Sequence, residues 1–175
     1  TRVGNVDEAG LRYVICFCRR GGRVLMLHRD RPPNRHRWNG VGGKLEPGER
    51  PSACVRREVL EETGIDLRAA RTRFAGVVTW DLWTDETLPS TGMYAYVAEL
   101  PADWPVWAGE RATPEGRLAW LPLARVCGPG GDGVVTNIPH FLPAMLDGAA
   151  PREYRCHYRD GQLVRVTIHH CDLLP

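Results

Sequence analysis

The chain has 175 residues, enough for one domain with a real core and too few for two comfortable ones. Its 43% hydrophobic and 25% charged residues make an ordinary globular composition, and a formal charge of +2 gives no basic coat for a nucleic-acid polymer. No segment has the length of a transmembrane helix, so no membrane contact is expected.

Residues 1–12 carry no signal-peptide pattern, and a cytoplasmic protein is the expectation. Arginine greatly outnumbers lysine, which suits bidentate recognition of a phosphorylated small ligand. Six cysteines are scattered along the chain. Cys16 and Cys18 alternate with Ile15 and Phe17 and read as small buried strand residues. Cys156, His157, His169, His170 and Cys171 would need two paired C-terminal strands to hold zinc, and they lack a recognised ligand spacing. Reduced thiols are the better reading.

In chain order, YVICFC and RVLMLHR flank Gly21-Gly22 and predict a β-hairpin. A polar, proline-broken loop, RDRPPNRH, leads to Trp38 and the glycine-rich stretch NGVGGKLEPGE. Pro51 opens a predicted helix running to Thr63, and Gly64 stops it. Strands follow at RFAGVVTW and GMYAYVAEL, then a proline-rich loop over 101–116, then a short strand at RLAWLPL. GPGGDG is a flexible link. Asn137 with Pro139 gives an N-cap signature for a short helix through Leu146. REYRCHY and LVRVTIHH meet at Asp160-Gly161, a strong hairpin signal. The order strands, helix, strands, helix, strands predicts one mixed α/β or α+β domain over 1–175.

Within the predicted helix, Glu58, Glu61 and Glu62 fall within an arc of about 100°. Like charges so placed repel by a few tenths of a kcal/mol per pair. A solvated face would tolerate that. A divalent cation between the carboxylates would reverse its sign.

The segment upstream decides between the two. From Gly43 the sequence runs GKLEPGERPSACVRREVLEETGI: a glycine, five residues, Glu49, seven residues, then Arg57 to Ile65. This matches the Nudix box (43–65) without a departure, and the chain resembles the Nudix hydrolases from roughly Tyr13 to Asp172. The physical logic agrees. A glycine loop brings backbone close to metal and phosphate oxygens, and grouped carboxylates are hard ligands suited to Mg²⁺. Glu49 and Arg57 form a charge-assisted brace from loop to helix, and Ala53 and Leu60, on the far side, are expected to pack on a sheet.

The resemblance implies an α/β/α sandwich with a mixed sheet, and metal-dependent hydrolysis of a nucleoside diphosphate linked to another group. By residue carry-over it implies Glu58, Glu61, Glu62 and the Gly42 carbonyl as ligands of Mg²⁺, with Mn²⁺ as the alternative. Gly43 and Lys44 would face the nucleotide phosphates. The general base is open between Glu58 and Glu115, a loop acid five residues before Trp120. RWNGVGGK and NIPHFLPAML are similar to the MutT-like 8-oxo-dGTP diphosphatases, which implies Asn39 and Asn137 near the base. The mammalian enzymes carry a tryptophan and paired acids where this chain has Val135, Thr136 and Asn137, so Trp80 or Trp83 is left to stack on the base.

The resulting expectation is a nucleoside triphosphate pyrophosphohydrolase acting on 8-oxo-dGTP, with a small nucleotide as its only partner. Alternatives are a hydrolase of ADP-ribose or another nucleotide, and a non-catalytic nucleotide sensor. The sequence leaves oligomeric state open.

Overall fold

The computed structural model describes residues 11–32, 34–81, 91–129, 133–173 and 175. Trp83 lies outside them. The predicted first hairpin is β1 (Tyr13–Arg20) and β2 (Arg23–Arg29), paired antiparallel through the Gly21-Gly22 turn. The glycine-rich stretch is not only loop. It contributes β3 (Trp38–Asn39) against β2 and β4 (Val41–Lys44) antiparallel to β1, because its small residues let the backbone lie flat on neighbouring strands. Helix α1 spans Pro51–Thr63, with Pro51 in its first turn and Gly64 in the left-handed conformation (φ 76°) closing it onto the Leu60 carbonyl.

β5 (Arg71–Trp80) and β6 (Thr91–Glu99) follow the helix. The stretch read as proline-rich loop then holds a short strand, β7 (Glu110–Thr113), which forms a hairpin with β8 (Gly116–Pro122). Its four residues are exposed or half-exposed and carry no apolar alternation, so no periodicity marks it. The one-turn helix α2 (Leu123–Val126) and helix α3 (Ile138–Leu146) lead to the C-terminal hairpin of β9 (Arg152–Arg159) and β10 (Gln162–His170).

The strands form one mixed sheet in the order β10-β9-β5-β6-β1-β2-β8-β7, with β3 and β4 attached beside β2 and β1. β1 runs parallel to β6, and β5 parallel to β9. The alternation in β1 feeds two cores. Val14, Cys16 and Cys18 join Cys54, Val55 and Val59 of α1 on one face. Ile15 and Phe17 join Ile138, Phe141 and Leu142 of α3 on the other. Phe17 and Phe141 meet edge to face at 5.9 Å. The architecture is the expected α/β/α sandwich.

One expectation about α1 is corrected. Ala53 is exposed and Leu60 is 49% exposed, while Cys54, Val55 and Val59 are buried. At 100° per residue the arc from Cys54 to Val59 spans about 140° and contains Glu58 and Glu62. Those two carboxylates therefore share the sheet-facing side, and Ala53 and Leu60 turn to solvent. All six cysteines are free thiols. Alternation in β9 sends Cys156 into the α3 core while His157 faces the opposite side, so the pair cannot converge on one ion. Among the described residues, no helix is long and apolar enough to cross a membrane.

Candidate active site

Arg57 is the hub of the site. Its guanidinium donates to both oxygens of Glu49 at 2.8 and 2.9 Å, to Glu58 Oε1 at 2.9 Å and to the Lys44 carbonyl at 3.2 Å. It also reaches Glu61 Oε2 at 3.4 Å. Glu49 in turn accepts from the Glu46 backbone N–H at 3.0 Å, which ties the loop after β4 to the middle of α1. The paired guanidinium, with that backbone bond, holds the Glu49 carboxyl down at about 2. The same contacts push Arg57 further into its charged form.

The helix carboxylates behave differently. Burial raises the pKa of Glu58, against the pull of Arg57. Burial also raises Glu62, reinforced by the charges of Glu115 and Glu58. Glu115, at the turn joining β7 to β8, is thus within electrostatic reach of the helix acids. Its carboxylate stands 3.8 Å from the Arg29 guanidinium, and its carbonyl accepts from the Asp30 N–H at 3.1 Å. Glu61 is the outer member, its side chain 59% exposed.

Two glycines of β4 make the room for this cluster. A Cβ on Gly43 would run into the Glu58 carboxylate, and one on Gly42 into the Val14 carbonyl. Lys44, at the end of β4, is exposed. Among the described residues no three carboxylate, imidazole or thiol groups close around a single point as they lie, because Glu58 and Glu61 turn toward Arg57. The donor set nevertheless suits a hard divalent cation. Glu62 Oε2 is buried with no hydrogen-bond partner among the described residues, and an anionic oxygen in that state calls for a cation.

A second group of polar residues lies where α3 starts. Asn137 is 5% exposed and does not cap α3: its backbone is itself helical (φ −82°, ψ −20°) and its side chain makes no capping bond. A capping residue needs extended backbone, and the Ile138 N–H bond to Val135 already draws this turn tight. The amide instead donates from Nδ2 to the Tyr158 hydroxyl at 3.3 Å, and its Oδ1 has no partner among the described residues. Register pairs Trp80 of β5 with Cys156 of β9, and both pack on the α3 core. Asn39 uses Oδ1 to accept from the Gly40 N–H at 2.9 Å. Trp38 is buried, its carbonyl bonded to the Val135 N–H, which joins the two asparagine segments.

Residues 10–138 match the NUDIX domain family. The chain belongs to it. The Nudix hydrolase YvcI of Bacillus subtilis is 31% identical over 146 residues, covering 78% of this chain and 80% of its own. An oxidized purine nucleoside triphosphate hydrolase of Danio rerio is 46% identical over 46 residues, 26% of this chain and 30% of its own. Among solved structures, a MutT protein of Bacillus halodurans superposes with a TM-score of 0.65 over 90% of this chain and 96% of its own, at 23% identity. The Nudix domain of Shewanella oneidensis NrtR, solved with ADP ribose, superposes at 0.56 over 78% and 86%, at 16% identity.

The Nudix box residues are thus brought together by α1 and β4, and Glu115 joins them from a hairpin distant in sequence. Nothing local in the sequence places Tyr158 and Cys156 beside Asn137. Only the parallel pairing of β9 with β5 carries them to Asn137.

Proposed function

We propose that this Nudix protein is a Mg²⁺-dependent nucleoside triphosphate pyrophosphohydrolase that acts on 8-oxo-dGTP and releases 8-oxo-dGMP and pyrophosphate. The carrying observation is the half-buried carboxylate pair Glu58 and Glu62, facing Glu115 and held beside the Arg57–Glu49 brace. Glu58, Glu61, Glu62 and the Gly42 carbonyl would hold the cation, Glu58 through the oxygen it does not give to Arg57 and Glu61 after turning off Arg57. Bound there, it supplies charge neutralisation for the polyphosphate and lowers the pKa of the attacking water.

The protein's own residues do the rest. Glu58 accepts the water proton as general base from its place on the sheet-facing side of α1. Water oxygen bonds to phosphorus as the bridging P–O bond breaks and pyrophosphate departs. Arg57 keeps Glu58 aimed, and Glu49 keeps Arg57 aimed. Gly43 and Lys44 lie beside this group on β4, where phosphate oxygens would approach.

The base reading rests on Asn137, a buried amide with an unanswered oxygen, with Asn39 nearby and Trp80 as the stacking surface. Oxidation at C8 puts a hydrogen on N7, turning an acceptor of the guanine edge into a donor that an amide oxygen can receive. The Danio rerio relative, named for oxidized purine nucleoside triphosphates, supports the same substrate class. A panel of 8-oxo-dGTP, dGTP, ATP and ADP-ribose with Mg²⁺, read by release of pyrophosphate and monophosphate, tests this. Highest kcat/KM for 8-oxo-dGTP is expected. Preference for ADP-ribose would replace the substrate, and binding without turnover would make the protein a sensor.

A further inference from the structure

Asp81, His157, Thr167 and His169 form a hydrogen-bonded row that the Nudix chemistry does not use. Strand register makes the row. Trp80 pairs with Cys156 in the parallel ladder of β5 and β9, so Asp81, one residue on, stands beside His157. On β10, Thr167 pairs with Arg155 and His169 with Glu153. By alternation these side chains share the face of the sheet opposite Cys156. Three neighbouring strands thus bring an acid, an imidazole and a hydroxyl together.

The bond directions follow from the carboxylate. Asp81 Oδ2 lies 3.0 Å from His157 Nδ1, and a carboxylate only accepts, so Nδ1 carries the hydrogen. Nε2 of the neutral ring is then an acceptor, and the Thr167 hydroxyl, 3.0 Å away, donates to it. His169 Nε2 lies 2.8 Å from the same hydroxyl oxygen and donates to it. The second Asp81 oxygen is buried with no partner among the described residues, which leaves the His157 ring as the group that answers the charge. The Asp81 and His157 side chains are 10% and 12% exposed. Thr167 and His169 are half-buried on β10, which ends the sheet, so a small molecule can reach the hydroxyl while the base behind it is shielded.

We infer that this row is a second catalytic centre, a hydrolase of small carboxylic esters with Thr167 as nucleophile and His157 as base. An alcohol bonded to one ring nitrogen, with a carboxylate holding the other, is the arrangement that activates a hydroxyl. Thr167 Oγ1 bonds to the acyl carbon as its proton passes to His157 Nε2. Asp81 is a positioning residue, which holds the ring and stabilises the imidazolium. The His169 N–H is placed to donate to the carbonyl oxygen as that oxygen gains negative charge. His157 returns the proton to the alcohol oxygen as the ester C–O bond breaks, and the acyl group stays on Thr167. Water then attacks the acyl carbon, losing its proton to His157. Thr167 regains that proton, and the carboxylic acid leaves. The groups bonded to Thr167 are neutral N–H and ring nitrogen, which suit the single oxyanion of an ester.

The test is release of p-nitrophenolate from p-nitrophenyl acetate by the full chain, with metal chelated so that the Nudix site is silent. A burst of about one equivalent is expected, and peptide mapping of acid-quenched protein should find one acetyl group, on Thr167. Thr167→Val and His157→Gln should slow release by about 10²-fold or more with the melting temperature held. Asp81→Asn, which frees the ring to take the other tautomer, should slow it likewise, and Thr167→Ser should keep it. Release in Thr167→Val as fast as in the native protein overturns the inference. So does an acetyl group on another residue, or native release no faster than in buffer. Should Thr167→Val fail to fold, the mapped site in the native protein and the Thr167→Ser rate decide.

Discussion

Gly43 on β4 and Glu58 on α1 occupy space that only a glycine permits, since a Cβ at position 43 would overlap the Glu58 carboxylate. The obstacle is the far end of a flexible side chain, so Gly43→Ala should fold while displacing Glu58 from Arg57. Turnover is expected to fall by about 10²–10⁴-fold, the range for loss of a positioned general base. At Gly42 the obstacle is the Val14 backbone carbonyl. Gly42→Ala should therefore part β4 from β1 and lower the melting temperature, whereas Gly43→Ala should not. Melting curves and kcat for the two variants separate these effects.

The acids of the site link stability to pH in opposite directions. Glu58 and Glu62 have raised pKa values in the fold, with burial as the main cause. Their contribution is full below the ordinary glutamate range and is lost as pH rises through the raised values. Glu49 is held down at about 2 by Arg57, so its contribution is present above the ordinary range and lost as pH falls toward that value. Metal-free protein should therefore lose melting temperature as pH rises above the ordinary glutamate range, through the two helix acids. Added Mg²⁺ should restore it, and more at the upper pH, where no proton competes. In Glu62→Gln both the loss and the Mg²⁺ response should shrink. A response to Mg²⁺ identical to the native one would remove Glu62 from the cation site.

Glu58 and Glu115 approach the same region from a helix and from a hairpin turn. As general base, Glu58 should cost about 10²–10⁴-fold in single-turnover rate when changed to Gln. Glu115→Gln should act more mildly, chiefly by relieving repulsion on Glu62. The reverse order of losses would transfer the base to Glu115.

Packing of α1 gives a prediction independent of catalysis. Val59 is fully buried and Leu60 about half exposed. Val59→Ala should destabilise by about 2 kcal/mol, from lost methyl burial plus a residual cavity. Leu60→Ala should stay within about 0.5 kcal/mol of the native protein. Denaturant melts of the two variants measure the difference directly.

Much was determined by sequence alone. Residues 43–65 carry fixed spacings set by local geometry: a glycine loop, Pro51 at the helix start, Gly64 at its end and carboxylates on neighbouring turns. Such features need no knowledge of the rest of the chain, and α1 runs from Pro51 to Thr63 as expected. The two hairpins were equally legible, because Gly21-Gly22 and Asp160-Gly161 specify their turns locally. Tertiary structure decided which side of α1 meets the sheet. Periodicity separates two faces of a helix but does not say which is covered, and here space under β4 glycines lets Glu58 and Glu62 share the buried side while Leu60 turns outward. It also decided the surroundings of Asn137. As a helix-start asparagine it read as a cap, yet the parallel pairing of β5 with β9 sets Tyr158 beside its amide, a contact across 21 positions that no local pattern encodes.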